Sequence, residues 1–161
     1  MSHTTRGLYF EECTQGRHFR HALHRTVTES DNTMITALTM NQSPLHLDAE
    51  YAAGTVHGQR IVNSLYTLGL VGGLHMLDLT FRTTLGNLGY EKVVFPKPVF
   101  HGDTVRLETT ILRNRESASR TDAGIVWFEH SMFNQRDEVV CRAERVAMML
   151  RRPVGDTSDP R

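Results

Sequence analysis

After residue 103 the chain adopts a two-residue hydrophobic period, and that change limits its fold more than any other feature. Val105, Leu107, Thr109 and Ile111 alternate with Arg106, Glu108 and Thr110. Val126, Phe128, His130 and Met132 alternate in the same way with Ile125, Trp127, Glu129 and Ser131. Successive side chains of a strand point to opposite faces, so this pattern belongs to half-buried antiparallel strands. The spacing predicts strands over 92–95, 103–113, 123–133 and 139–150, with polar turns at 115–122 and 134–137. Ahead of them, residues 61–78 are apolar nearly all round the helical wheel, with Leu65, Leu68, Leu70, Val71, Leu74 and Leu77. Such a helix must be covered. Gly69, Gly72 and Gly73 weaken it by about 1 kcal/mol each relative to alanine, and predict a close approach of its backbone to a sheet or a ligand. One buried helix followed by a run of antiparallel strands is an α+β arrangement, a sheet wrapped around a helix.

At 161 residues the chain suits one domain, placed at 7–151, with loose polar ends at 1–6 and 152–161. Its 18 basic and 18 acidic residues cancel. That balance argues against nucleic acid as a partner. The longest apolar run, 61–79, is interrupted by Asn63, Ser64, three glycines, His75 and Asp78, so no membrane span is expected. No signal-peptide core follows the first residues. Cys13 and Cys141 suggest no disulfide framework, although they could pair if they met in space. The expectation is a cytoplasmic protein.

The first half reads as extended segments at 7–10 and 22–28, then a helix over 31–40 capped by Ser30 or Asp31. Met34, Ile35 and Leu38 give that helix an apolar face. Asp48 is a second N-cap, for a brief helix over 49–53 that Gly54 closes.

Three segments carry chemistry-bearing residues. Asn41-Gln42-Ser43-Pro44-Leu45-His46 sets an imidazole beside two short polar side chains where a helix starts. Gln59-Arg60-Ile61-Val62-Asn63-Ser64 opens the long helix, and Pro98-Val99-Phe100-His101-Gly102-Asp103-Thr104 turns into a strand. Imidazoles as a class titrate near neutrality and serve as acid or base. A helix N-terminus favours a developing negative charge. In order and spacing these segments resemble the MaoC-type dehydratases, the hot-dog-fold family of (R)-specific enoyl-CoA hydratases. Gly16, Phe19 and Thr26-Val27-Thr28-Glu29-Ser30-Asp31 fit the same pattern, so the resemblance runs from Gly7 to Leu150.

The resemblance implies a hot-dog fold, a long central helix wrapped by a curved antiparallel sheet, and a homodimer with sites near its interface. It implies reversible addition of water to an enoyl-CoA thioester, with no metal or redox cofactor, coenzyme A being part of the substrate. His46 falls at the acid/base position. Asn41 and Ser43 are placed to position water, and the Ser64 amide to stabilise the enolate. Arg60, Asn63 and Tyr51 are candidates for binding the substrate, with Lys92, Lys97 and Arg82 beside a pantetheine channel. Asn41 stands where the family pattern Asp-x-Asn-Pro-x-His has its aspartate, and Ser43 where it has asparagine. A carboxamide cannot accept a proton as a carboxylate does. Three arrangements stay open: His46 alone transfers protons, another carboxylate (Asp31, Asp48 or Glu50) is the base, or the site is inactive. Asparagine at this position suits the mesaconyl- and itaconyl-CoA branch, hence a short branched or dicarboxylic acyl group.

Two rivals remain on the sequence alone. An acyl-CoA thioesterase would need a carboxylate on the buried helix, where only Asp78 stands. A catalytically inactive acyl-CoA-binding subunit would explain the absent aspartate. His46 and the Asn63-Ser64 pair could also be purely structural, the first bonding a backbone carbonyl and the second capping the helix. His18, His21 and His24 lie in a segment read as extended, where three-residue spacing alternates faces and cannot converge on a metal. His101 reads as a solvent-facing loop residue.

Overall fold

The computed structural model describes residues 6–157. Five antiparallel strands form one sheet: β1 (His18–Thr26), β2 (Thr84–Val94), β3 (Thr104–Glu116), β4 (Ala123–Phe133) and β5 (Val139–Leu150), in the order β1-β3-β4-β5-β2. The alternation of β3, β4 and β5 is realised as read, whereas the strand read over 92–95 starts eight residues earlier, at Thr84, and ends at Val94. Leu107 lies opposite Met132, and Thr109 opposite His130. Inward positions 105, 107, 109 and 111 of β3 are buried, whereas 106, 108 and 110 are partly exposed. Burying a leucine such as Leu107 contributes roughly 1.5–3 kcal/mol.

The helices occupy the chain between β1 and β2: α1 (Glu29–Leu38), α2 (Pro44–Leu47), α3 (Ala49–Ala53), α4 (Ser64–Leu74) and α5 (Met76–Leu79). The apolar helix read over 61–78 is thus two pieces. It begins three residues later, at Ser64 with Asn63 as N-cap, and breaks at His75. Val71 and Leu74 of α4 pack with Val62, Val99, Leu107, Met132 and Ala143 in one core cluster. A second cluster holds Leu8, Phe10, Leu79, Ile111, Phe128 and Met149. Cys13 lies in the second cluster and Cys141 in the first, both buried and free.

Several expectations are corrected. Gly69, Gly72 and Gly73 face open space rather than the sheet. Close approach occurs instead at Gly7, where a Cβ would lie 2.5 Å from the backbone of Leu79 and Thr80. Residues 7–10 are not a strand: they lead into a short 3-10 turn, Phe10–Glu12, that covers β4. α1 starts at Glu29, because Thr28 and Asp31 form a reciprocal capping box. Its supposed apolar face is turned outward, with Met34 64% and Leu38 76% exposed, while the polar Asn32 and Thr36 are buried. Arg6 and residues 152–156, read as part of loose ends, are held: Arg6 and Arg152 both pair with Glu12, and the Tyr9 hydroxyl donates to Asp156 at 2.7 Å. Residues 1–5 and 158–161 of those ends lie outside the described residues.

Candidate active site

Asn32 is the junction of the site. Its Nδ2 donates to the carbonyl oxygen of His46 at 3.1 Å and to Nε2 of His101 at 3.0 Å, and its Oδ1 accepts from the backbone N–H of Asn63 at 2.8 Å. One buried carboxamide therefore ties the turn that carries His46 to the start of α4. Sequence reading passed over Asn32, since it sits inside a helix whose apolar side chains appear to define the packed face. His101 is corrected accordingly: it is half-buried and held by Asn32. Burial, then the Arg60 charge, push its pKa below the ordinary imidazole value.

His46 lies on α2, where Pro44 occupies the first turn without sacrificing a hydrogen bond. Its Nδ1 sits 2.9 Å from the carbonyl oxygen of Ile61. A carbonyl only accepts, so Nδ1 carries a proton, and in the neutral ring Nε2 is the nitrogen with the lone pair. The Ile61 N–H donates back to Leu45 at 3.3 Å, and Val62 N–H to Val99 at 2.8 Å, which pins the approach to α4 from both sides. The carbonyl bond that a purely structural histidine would make is thus present, and it leaves the second nitrogen available.

Asn63 caps α4 with its side-chain oxygen accepting from Leu65 N–H at 3.0 Å. Ser64, the first residue of the helix, is exposed, and its N–H donates to no other described group. It lines a half-open cleft of ≈ 310 Å³ with Ile61, Val62, Val99 and Val140 among its apolar residues and Thr67, His57 and Lys97 among its polar ones. The Asn41 side chain accepts from Ser43 N–H at 3.2 Å, closing the turn before α2. Of the site candidates Ser64 lines this cleft; His46, Asn41, Ser43, Arg60, Asn63 and Tyr51 do not. Arg60 is paired with Glu29 at 2.6 Å, and Tyr51 is 54% exposed on α3, outside the cleft lining. Asp48 caps α3, and Asp31 is committed to Thr28 and Arg25. Of the lysines considered for the channel, Lys97 reaches the cleft; Lys92 lies on β2 and Arg82 stacks on Phe81.

Residues 11–130 match the family model described as MaoC like domain. The chain belongs to that family. Among curated relatives, this MaoC domain is 31% identical to mesaconyl-CoA hydratase of Cereibacter sphaeroides, over 98% of the chain and 44% of the relative. It is 29% identical to (R)-specific enoyl-CoA hydratase of Rhodospirillum rubrum, over 64% of the chain and 69% of the relative. The chain spans about half the length of the first of these. Of solved structures, the MaoC-like dehydratase from R. rubrum superposes with a TM-score of 0.79 at 27% identity, covering 91% of this chain and 99% of that one. A Mycobacterium tuberculosis protein described as a double hotdog fold superposes at 0.81 and 20% identity, covering 93% of this chain and 46% of that one. That likeness fixes the architecture: the MaoC domain is a hot-dog fold, α+β, as its sequence implied. Among the described residues, no helix is long and apolar enough to cross a membrane.

Proposed function

We propose that this MaoC domain adds water reversibly to an enoyl-CoA thioester. The observation that carries the reading is the orientation of His46, protonated at Nδ1 by its bond to Ile61 and basic at Nε2, on a segment that Asn32 ties to Asn63, the residue before the free amide of Ser64. Water loses a proton to Nε2 of His46 as its oxygen bonds to the β-carbon. The double bond shifts, and the negative charge gathers on the thioester oxygen. The Ser64 N–H at the start of α4 donates to that oxygen. His46 then returns its proton to the α-carbon, the carbonyl re-forms, and no atom is left over. Asn41 and Ser43 position the water. Because Asn41 cannot be a base, His46 does the proton transfer alone. No metal or redox cofactor enters these steps.

(R)-hydration is supported by the likeness to an (R)-specific hydratase, and a short branched or dicarboxylic acyl group by the likeness to a mesaconyl-CoA hydratase. The same reading expects a homodimer acting in the cytoplasm. The test follows the absorbance of the enoyl-thioester band with crotonyl-, mesaconyl- and itaconyl-CoA, with free thiol measured alongside. Loss of the band without thiol release, reduced about 100-fold or more in His46→Ala, supports hydration. Thiol release in its place sinks the reading in favour of a thioesterase. Silence on every substrate leaves a binding subunit.

A further inference from the structure

Away from the cleft, three neighbouring strands each set one polar residue among apolar inward-facing ones. Thr109 stands between Leu107 and Ile111, His130 between Phe128 and Met132, and Arg145 between Ala143 and Ala147. His21 from β1 and His75 from the α4–α5 junction complete the layer, and all five residues are buried. The layer divides the core. Val105, Leu107, Met132 and Ala143 belong to one apolar cluster, and Ile111, Phe128, Ala147 and Met149 to the other.

The hydrogen bonds of the layer have a direction that can be deduced. Asp78 Oδ2 lies 2.7 Å from His21 Nδ1, and a carboxylate accepts, so His21 carries its proton on Nδ1. Burial, outweighing the Asp78 bond, lowers the His21 pKa and keeps the ring neutral, so Nε2 is a lone pair. The Thr109 hydroxyl, 2.8 Å away, must donate to it. The hydroxyl oxygen is then an acceptor for His130 Nδ1, also at 2.8 Å. His130, neutral through burial, is left with a bare lone pair on Nε2.

At this inner end the protein supplies no partner. His130 Nε2, both ring nitrogens of His75, and Nε and Nη2 of Arg145 are buried without a hydrogen bond to any described group. His75 stacks on His130 at 4.8 Å and 11°, a parallel arrangement in which the rings cannot bond edge to edge. The Arg145 charge acts on both rings, lowering the pKa of each after the effect of burial. The orphans comprise donors on Arg145 and His75 and an acceptor on His130. A small anion would satisfy the donors and leave the His130 lone pair unmet, whereas water gives and accepts. Buried waters occur at about one per 27 residues and hold to two to four polar partners.

We propose that this layer is an internal water site, with ordered water held by His130 Nε2, His75 and Arg145 at the inner end of a hydrogen-bond chain whose protons all point towards Asp78. Water, rather than an anion, is the ligand class, and the chain fixes the ring tautomers of His21 and His130. Two measurements on the full chain test it: a high-resolution crystal structure with a bromide soak, and ring ¹⁵N NMR of the histidines. Expected are ordered solvent within hydrogen-bond reach of His130 Nε2 and the Nδ1–H tautomer at both His21 and His130. Thr109→Ser should keep those tautomers, and Thr109→Val should release His130 from its own. A dry layer, bromide seated on Arg145, or His130 protonated at Nε2 in the unaltered protein would each overturn the proposal, without need of a variant that folds.

Discussion

Acidification should destabilise this protein well before its carboxylates are protonated. The groups responsible are His75 and His130, whose pKa values burial holds well below the usual imidazole value, and His21, lowered in the same sense. In the unfolded chain an imidazole titrates near 6.5. Below that pH the unfolded state therefore binds protons that the folded state refuses, so stability rises with pH across this window and falls as pH drops. For a ring whose folded pKa lies well below this window, moving from pH 6 to pH 5 costs about 1 kcal/mol by this linkage. Two to three rings give about 2–4 kcal/mol, a large share of the roughly 5–15 kcal/mol that holds a domain folded. His101, lowered by burial and by Arg60, adds in the same direction. The lowered carboxylates, Glu12, Asp31, Glu108, Asp122 and Glu138, act only below the ordinary carboxylate range and leave this interval clear. Urea unfolding at half-unit pH steps between 7 and 5 reads the effect. With a slope of roughly 1–3 kcal/mol per molar urea, the midpoint should fall by about 1 M or more between pH 6 and 5. His75→Phe keeps a ring against His130 and removes one titrating group, so the pH slope should drop by about one proton. A flat stability between pH 7 and 5, or an unchanged slope in His75→Phe, would refute the reasoning.

Three further substitutions test the framework of the site. Asn32→Leu leaves the Asn63 N–H and the His46 carbonyl without their shared partner, and should cost about 1–3 kcal/mol per buried group orphaned, read by urea unfolding. It should also lower kcat for hydration, since it loosens His46 against α4. Gly7→Ala drives a Cβ into the Leu79–Thr80 backbone and should destabilise by about 1–3 kcal/mol with no change in kcat of the folded fraction. Thr28→Ala removes the α1 cap and should lower stability by about 1 kcal/mol, measured by thermal unfolding.

The second half of the fold was legible because its burial is one-sided. Strands β4 and β5 have the bounds that alternation gave them, and β3 differs only at its ends. Alternation also marked Thr109 and His130 as inward-facing without saying what they meet, which depends on the pairing of β3 with β4 and β1. The first half was less legible, because α1 breaks the usual link between apolar side chains and burial. Asn32 is buried for its amide, which three other segments use, and no local pattern announces that. The turn from Asn41 to His46 was readable as a motif, since Pro44 and the Asx turn at Asn41 are local chemistry. The partner of Arg60 was not legible for the opposite reason: Glu29 is distant in sequence, and only the folded chain brings them to 2.6 Å.

The two polar networks allow the rival chemistries to be separated by one residue. Asp78, His21 and Thr109 have the connectivity of a carboxylate–imidazole–hydroxyl triad, at 2.7 and 2.8 Å. Asp78 is also the carboxylate that a thioesterase reading would need. Neither role suits the geometry. Thr109 is 1% exposed and its hydroxyl donates to His21 and accepts from His130, so no carbonyl carbon can reach it. Asp78 lies on α5, beyond the whole length of α4 from Ser64, about 16 Å at the helical rise. Asp78→Ala should therefore leave the kcat of hydration within about twofold. Its cost should fall on stability, about 1–3 kcal/mol for a buried His21 N–H left without an acceptor. Enoyl-band and free-thiol assays on the folded variant, beside urea unfolding, make the comparison. Turnover lost in Asp78→Ala while the protein remains folded would place the chemistry at α5 and refute the assignment to His46.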